Sequence, residues 1–354
     1  MKKIIMMFVL GVSVCHGAVI GKYYRGMLGA SQIEMTLEFD TTGKTDGFFH
    51  VIGVNRMNYL HGNNSDSTGL NLTDYRYESA KKKYVEFGKF TGKIVGDSIT
   101  GEWKGYADTE GSLFALQHSC GAGGTDFTIG NVSSDQNFRN GPGDDWCREH
   151  CAIQYLEFEI PDQHLCDSLN RVVFNSLIPY DFNDYPYHSH YSYPDYSDLT
   201  TEFNLNAWYN GRFDGISGCT SDEESEIVWD GSDIVSYSVS DFIYSGGAHG
   251  LEDVKYENFV ASTGKQITIN DIFSDGCEDA LDRKVNAHLD NDEERERGEG
   301  YAIDNFFITP DGICFVFNEY VIGCYMEGIS TSFIPWSELD SLIDPNGPMG
   351  WVRK

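Results

Sequence analysis

Positive charge is scarce in this chain. Lysine and arginine number 25 against 55 aspartates and glutamates, a formal net charge of −30. A field of that sign repels nucleic acid and anionic lipid surfaces and attracts cationic partners. Also missing is any later apolar run of the roughly 20 residues that a membrane-spanning helix needs. The familiar catalytic signatures are absent too. There is no Gly-x-x-x-x-Gly-Lys phosphate loop, no His-Glu-x-x-His zinc helix, no Gly-x-Ser-x-Gly elbow and no EF-hand loop. No catalytic residue, cofactor or metal is therefore assigned, and a non-enzymatic role is expected.

What is present points to an exported, β-rich protein. Lys2 and Lys3 precede a short apolar run over residues 4–14, followed by Cys15-His16-Gly17-Ala18. This is the pattern of a signal peptide cleaved after Gly17, so residues 1–17 are set aside. Losing Lys2 and Lys3 makes the mature chain still more acidic. Periplasmic or secreted localisation follows, with lipid anchoring at Cys15 as the alternative. Eight cysteines remain: Cys120, Cys147, Cys151, Cys166, Cys219, Cys277, Cys314 and Cys324. An even number in an exported chain favours disulfides. Sequence proximity favours Cys314–Cys324 and a pairing within Cys120, Cys147 and Cys151. Zinc spacing is not met, because no second cysteine pair follows Cys147 and Cys151.

The 38 glycines, 21 tyrosines and 22 phenylalanines suit many turns between aromatic-rich strands. Over residues 18–118, strand-like runs at 33–39, 47–52, 69–72, 88–92, 99–103 and 113–116 alternate with Gly, Asn and Asp turns. That spacing predicts an antiparallel β meander, as a barrel or a sandwich. Residues 119–150, rich in Gly, Asp, Asn and Ser, read as a linker or a disulfide-tied excursion. From 151 to 345 the pattern becomes mixed, an α+β module with an antiparallel sheet and two or three helices. A strand is expected at 153–158. A helix starting at Pro161-Asp162 carries Leu165, Leu169, Val172, Val173 and Leu177 on one face. Strands are expected at 234–244 and 254–260, and a second helix at 276–290. Thr309-Pro310-Asp311-Gly312 has the residues of a type I turn, followed by alternating Ile313, Phe315 and Phe317. Pro335 suits the first turn of a helix bearing Leu339 and Leu342.

Several residues attract a chemical reading. His249 lies in the turn Ser245-Gly246-Gly247-Ala248-His249-Gly250, where Gly246 and Gly247 are structural turn residues able to take positive φ. His249 is either a ligand contact or a part of that turn. His188 and His190 sit in an acidic loop over 180–200 with Tyr187 and Tyr191, rings suited to stacking on sugars or anchoring a protein. Four-ligand metal spacing is not met there. Asp144-Asp145 and the acidic run 290–296 read as solvated charge.

The order of motifs is itself informative. The strand ending Tyr244-Ser245-Gly246-Gly247-Ala248-His249-Gly250 is followed by Thr263-Gly264-Lys265-Gln266-Ile267-Thr268-Ile269-Asn270-Asp271-Ile272-Phe273. Then come a helix, the Thr-Pro-Asp-Gly hairpin, Tyr320, Gly328 and Ile334-Pro335-Trp336. Over residues 151–345 this resembles the extracellular domain of RsiV-type anti-sigma factors, a domain also found ahead of the catalytic domain in PdaC-type peptidoglycan deacetylases. The resemblance implies a receptor for lysozyme. It does not carry over signalling or deacetylation, since a sigma-binding segment and the deacetylase metal ligands are not read in this sequence. The expected ligand contacts are His249, Tyr320, Glu327, Tyr187 and Tyr191. The expected partner is a basic envelope-directed protein such as lysozyme, or peptidoglycan. An envelope glycan hydrolase with unidentified carboxylates, or a scaffolding protein, are the alternatives.

Overall fold

Eight strands, each alternating inward apolar with outward polar residues, come first in the chain. They are β1 (Val19–Leu28), β2 (Ser31–Phe39), β3 (Lys44–Val51), β4 (Asn58–Ser65), β5 (Gly69–Glu78), β6 (Lys83–Val95), β7 (Ser98–Gly105) and β8 (Ser112–His118). The computed structural model describes residues 19–65, 69–78, 83–138, 147–176, 220–244, 249–290 and 303–353. Each strand pairs antiparallel with the next, and β8 returns to β1, so the expected meander is a closed barrel. Ile33, Leu37, Leu72, Phe90 and Ile99 fill its interior without solvent exposure. The short-range readings at 33–39 and 99–103 fall within β2 and β7, and the one at 47–52 overruns the end of β3 by one residue. The sequence reading passed over β1 and β4.

The sheet does not end with the barrel. β9 (Asp126–Phe138) and β10 (Cys147–Glu159), the first lying wholly in the stretch expected to be a linker and the second taking in the strand expected at 153–158, form a long antiparallel arm. Its Gly- and Asp-rich composition reports local turn propensity, whereas pairing with distant β1 decides the outcome. Then β11 (Thr220–Gly231), β12 (Ile234–Tyr244), β13 (Leu251–Val260) and the two-residue β14 (Lys265–Gln266) extend one 14-stranded sheet. β10 and β11 are parallel, and α1 (Gln163–Ser176) lies in the connection between them, burying Leu169 and Val173 as expected. Residue 177, the loop 180–200 and the pair Gly246 and Gly247 lie outside the described residues.

A second sheet covers the first. It contains β15 (Phe306–Ile308), β16 (Gly312–Phe317) and β17 (Ser330–Pro335). The hairpin read from Thr309-Pro310-Asp311-Gly312 joins β15 and β16, with Thr309 N–H donating to Gly312 O at 3.0 Å. All six residues of β16 are buried, so the strand is covered on both faces. Short α2 (Ile269–Ile272), then α3 (Glu278–Ala287) with Leu281 and Val285 inward, and α4 (Trp336–Leu339) complete the module. Pro335 is the N-cap of α4, and Leu342 falls in the turn after it.

The cysteines do not follow the expected pairing. Cys120, Cys166, Cys277, Cys314 and Cys324 carry free thiols. Cys314 is buried within β16 while Cys324 lies exposed, its thiol directed at Glu327 Oε1, so the Cys314–Cys324 bridge is not formed. Cys120 sits between Glu159 O, to which it donates, and the Asp126 N–H, from which it accepts. It is therefore not bridged to Cys147 or Cys151. The side chains of Cys147 and Cys151, and Cys219, lie outside the described residues.

The barrel core depends on Phe90, which meets Phe49 and Phe114 edge-on at centroid distances of 5.1 and 5.2 Å. Phe90→Ala is expected to destabilise the protein by roughly 3–5 kcal/mol in urea unfolding, the usual cost of emptying an aromatic core position. A loss below about 1 kcal/mol would mean that the barrel interior is not the packed core described.

Candidate functional site

Strand edges expose unpaired backbone groups, and here side chains cover them. β14 pairs with β13 only at Phe259 and Val260. Farther along that edge, Val254 N–H donates to Asn318 Oδ1 at 3.0 Å, while Asn318 Nδ2 and Asn305 Nδ2 donate to Val254 O at 3.2 and 2.7 Å. Tyr256 N–H donates to Asn305 Oδ1 at 2.9 Å, and the Glu319 carboxylate accepts from Glu252 N–H. The two asparagines act as a surrogate strand. They pin the turn that starts at Asn318 to the sheet.

That docking positions an aromatic cluster. Tyr320, at positive φ (65°), projects from the turn and is 55% exposed. Residues Tyr325–Glu327 form a single 3-10 turn ended by Gly328, also at positive φ. The Tyr325 ring stacks on His249 at a centroid distance of 3.5 Å and 16° from parallel, and Tyr320 lies 6.4 Å from Tyr325. Met326 beside them is 83% exposed. His249 Nδ1 is 2.9 Å from Gly250 O, which only accepts, so Nδ1 carries the proton. Burial raises the Glu319 carboxyl, and the neighbouring charges of Glu252 and Asp253 raise it further, against the lowering effect of Glu252 N–H and His249. The result is an exposed aromatic and thioether surface bordered by Glu252, Asp253, Glu319 and Glu327.

Three of the five expected contacts, His249, Tyr320 and Glu327, thus belong to one patch. Tyr187 and Tyr191 lie outside the described residues. Tyr325, Met326, Glu319 and Asn318 were missed, although the mixture of Tyr, Met and Glu within the irregular stretch 318–328 was a visible signal. Pro310, Asp311 and Gly312 form the expected turn at another place. There Asp311 Oδ2 accepts from Met57 N–H at 2.8 Å, tying the turn to the barrel. Burial pushes the Asp311 carboxyl up to about 6, against the lowering effects of Met57 N–H and Arg56.

Two other clusters have the residue types of hydrolytic centres without their chemistry. Ser232 Oγ lies 3.0 Å from both His50 Nε2 and Glu34 Oε2. However, His50 is fully buried, its Nδ1 has no orienting acid, and burial pushes it down to about 4. Cys120 accepts from the Asp126 N–H, and the Asp126 and His118 side chains are 2.6 Å apart. Burial and the Asp126 charge push its thiol up to about 11, opposite to an activated nucleophile. Among the described residues, no group of three or more His, Cys, Asp or Glu is arranged to hold a metal ion.

Residues 270–337 match the model of a family described as "Protein of unknown function (DUF3298)". The structure is similar to a solved member of the DUF3298 family from Bacteroides fragilis, at 18% identity and a TM-score of 0.49, covering 65% of this chain and 98% of that one. It is also similar to a DUF3298 family protein from Pseudomonas aeruginosa PAO1, at 18% identity and a TM-score of 0.46, covering 62% and 94%. No curated protein gives a significant match. Among the described residues, no helix is long and apolar enough to cross a membrane.

Asn318→Ala removes partners from Val254 N–H and O together. It is expected to cost about 1–3 kcal/mol and to speed amide exchange across 318–328 ahead of the rest of the β15–β17 sheet. Unchanged exchange there would show that the asparagine does not hold the turn.

Proposed function

We propose that this is an exported cell-envelope binding protein whose C-terminal module recognises lysozyme-like muramidases or peptidoglycan fragments. The observation that carries the reading is the patch around Tyr325. Rings at His249, Tyr320 and Tyr325 offer a stacking surface for sugar faces or for guanidinium groups. Glu252, Asp253, Glu319 and Glu327 border it with negative charge. A basic muramidase brings the complementary field, and the net charge of −30 accelerates its approach. Of the two ligands, the charge favours the basic protein over the glycan. Export rests on the leader-like residues 1–17, and the lipidated Cys15 form would retain the protein in the envelope.

The reading assigns no catalytic role. The polar clusters at Ser232 and Cys120 lack an activated nucleophile, and the patch performs binding alone. Docking would start from long-range attraction and finish when aromatic rings at the centre lose water. The patch belongs to a turn fastened to β13, so its ordering cost is already met in the free protein.

Binding of the mature chain to a panel of lysozymes, measured at several salt concentrations with cell-wall lysis followed in parallel, tests this. Tight binding that weakens with salt and suppresses lysis is expected. The charge-reversed pair Glu252→Lys and Asp253→Lys should slow association by about tenfold at low salt. Tyr325→Ala should act mainly by speeding dissociation. Retention on peptidoglycan with no lysozyme bound would assign the patch to glycan. Absence of both, or turnover of peptidoglycan by the protein, would overturn the reading.

A further inference from the structure

The patch around Tyr325 is built from two short segments, residues 249–254 and 318–328, and neither contains a lysine, arginine, serine or threonine. Asn318 ties them together through Val254 N–H at 3.0 Å, and the His249 ring meets Tyr325 at 3.5 Å. Most of their side-chain donors are engaged within the patch. His249 Nδ1–H donates to Gly250 O at 2.9 Å, which leaves Nε2 as an acceptor. Asn318 Nδ2 donates to Val254 O, and the Cys324 thiol is directed at Glu327 Oε1. The hydroxyls of Tyr320 and Tyr325 remain as donors. Against them stand the carboxylates of Glu252, Asp253, Glu319 and Glu327 and the His249 Nε2 lone pair. The lysine of β13 that follows, Lys255, is held by Glu257 at 2.6 Å. The surface is therefore rich in acceptors and poor in donors. Its flat parts are also roughly aligned. His249 lies 16° from parallel with Tyr325, and Tyr320 lies 31° from it.

We infer that the patch takes the guanidinium group of a partner's arginine side chain in preference to a lysine ammonium or a sugar, an assignment that rests on the binding role proposed above. A guanidinium carries five N–H donors and no acceptor, which suits a rim made of acceptors. It is planar and weakly hydrated, so one face stacks on a tyrosine ring while its edge bonds carboxylates. An ammonium brings the same charge without a flat face, and it is strongly hydrated. Sugar hydroxyls accept as well as donate, and here their lone pairs find few donors. Burial pushes the Glu319 carboxyl up, and the charges of Glu252 and Asp253 push it further. Negative charge is thus crowded at the rim, and an arriving cation relieves it.

Met326, 83% exposed beside the rings, supplies a reporter. The full mature chain, isotope-labelled at the methionine methyl groups and assigned through Met326→Leu, is titrated with three probes in magnetic resonance. These are N-acetyl-arginine amide, N-acetyl-lysine amide and a trimer of N-acetylglucosamine. The arginine probe should shift the Met326 signal and bind about threefold or more tightly than the lysine probe. Two variants keep the turn intact while removing a contact. Tyr320→Asn retains a residue type that tolerates positive φ, and Glu319→Gln retains an oxygen for Glu252 N–H. Each should weaken the arginine probe by about threefold or more. An equal response to lysine, a stronger response to the trimer, or no response to arginine overturns the inference.

A parallel measurement separates this outcome from the fate of the binding role itself. Any lysozyme that binds the chain is compared with the same lysozyme capped at its arginines by phenylglyoxal, and with one acetylated at its lysines. Loss of binding on capping alone is expected. Retention after capping, or equal loss on acetylation, overturns the arginine assignment and leaves the muramidase reading standing. If no lysozyme binds, that reading falls, and the probe titration still decides whether the patch is an arginine site.

Discussion

One strand has to satisfy three neighbours, and the architecture depends on how it does so. β1 pairs with β2 from Ile20 to Leu28 along one edge. Its other edge is divided, with Tyr24–Leu28 bonded to β8 and Val19–Gly21 bonded to β9. The first pairing closes the barrel and the second starts the rest of the sheet. Two glycines permit the close approaches. A Cβ at Gly26 would lie 2.1 Å from Ala115 O, and one at Gly21 would lie 2.2 Å from the Phe127 ring. The barrel and the module are therefore continuous in hydrogen bonding. The larger hydrophobic core crosses between them, taking in Phe48 and Met57 from the barrel wall with Trp229 and Phe315 from the module.

Continuity of this kind leaves strand edges to be managed, and asparagine does that work twice. β11 pairs with β10 only from His150 to Ile153, so Phe158 farther along is left with a free edge. Asn170 of α1 accepts from Phe158 N–H at 2.7 Å and donates to Phe158 O at 3.0 Å. Asn305 and Asn318 do the same for β13. A side-chain amide carries one donor group and one acceptor, as a peptide does, and so completes a ladder where no strand is available. On β13 the consequence is functional, because the pinned turn presents Tyr320 and Tyr325 beside His249. The acidic surplus is likewise divided. Some carboxylates border that patch, and others, including Glu34 and Asp230, are buried as hydrogen-bond acceptors between barrel and module.

Local patterns were legible wherever one face of an element was buried and the other was not. Val235, Tyr237 and Val239 alternating with serines marked β12 from Ile234 to Tyr244, and the Leu169–Val173 face marked α1. The Thr-Pro-Asp-Gly turn was legible from turn chemistry alone. The 153–158 part of β10 was legible too, but β9 was not, since its polar, glycine-bearing sequence becomes strand only when β1 offers half an edge. The cysteines misled for a related reason. Cys314 and Cys324 are near in sequence, yet one lies within a doubly covered strand and the other on a surface turn. Of the patch, His249, Tyr320 and Glu327 were visible as residue types. The stacking of Tyr325 on His249 was not, because a contact between distant segments leaves no periodic trace.

By itself, then, the sequence determined the acidic character, an antiparallel meander (barrel or sandwich) followed by an α+β module, and the turns that punctuate both. These properties depend on composition and on contacts between residues close in the chain. Tertiary structure alone decided that β1 would divide its edge, that asparagines would close β10 and β13, and that His249 would meet Tyr325. Each of these is a contact between distant segments, and its energy depends on burial and geometry that exist only once the chain has folded.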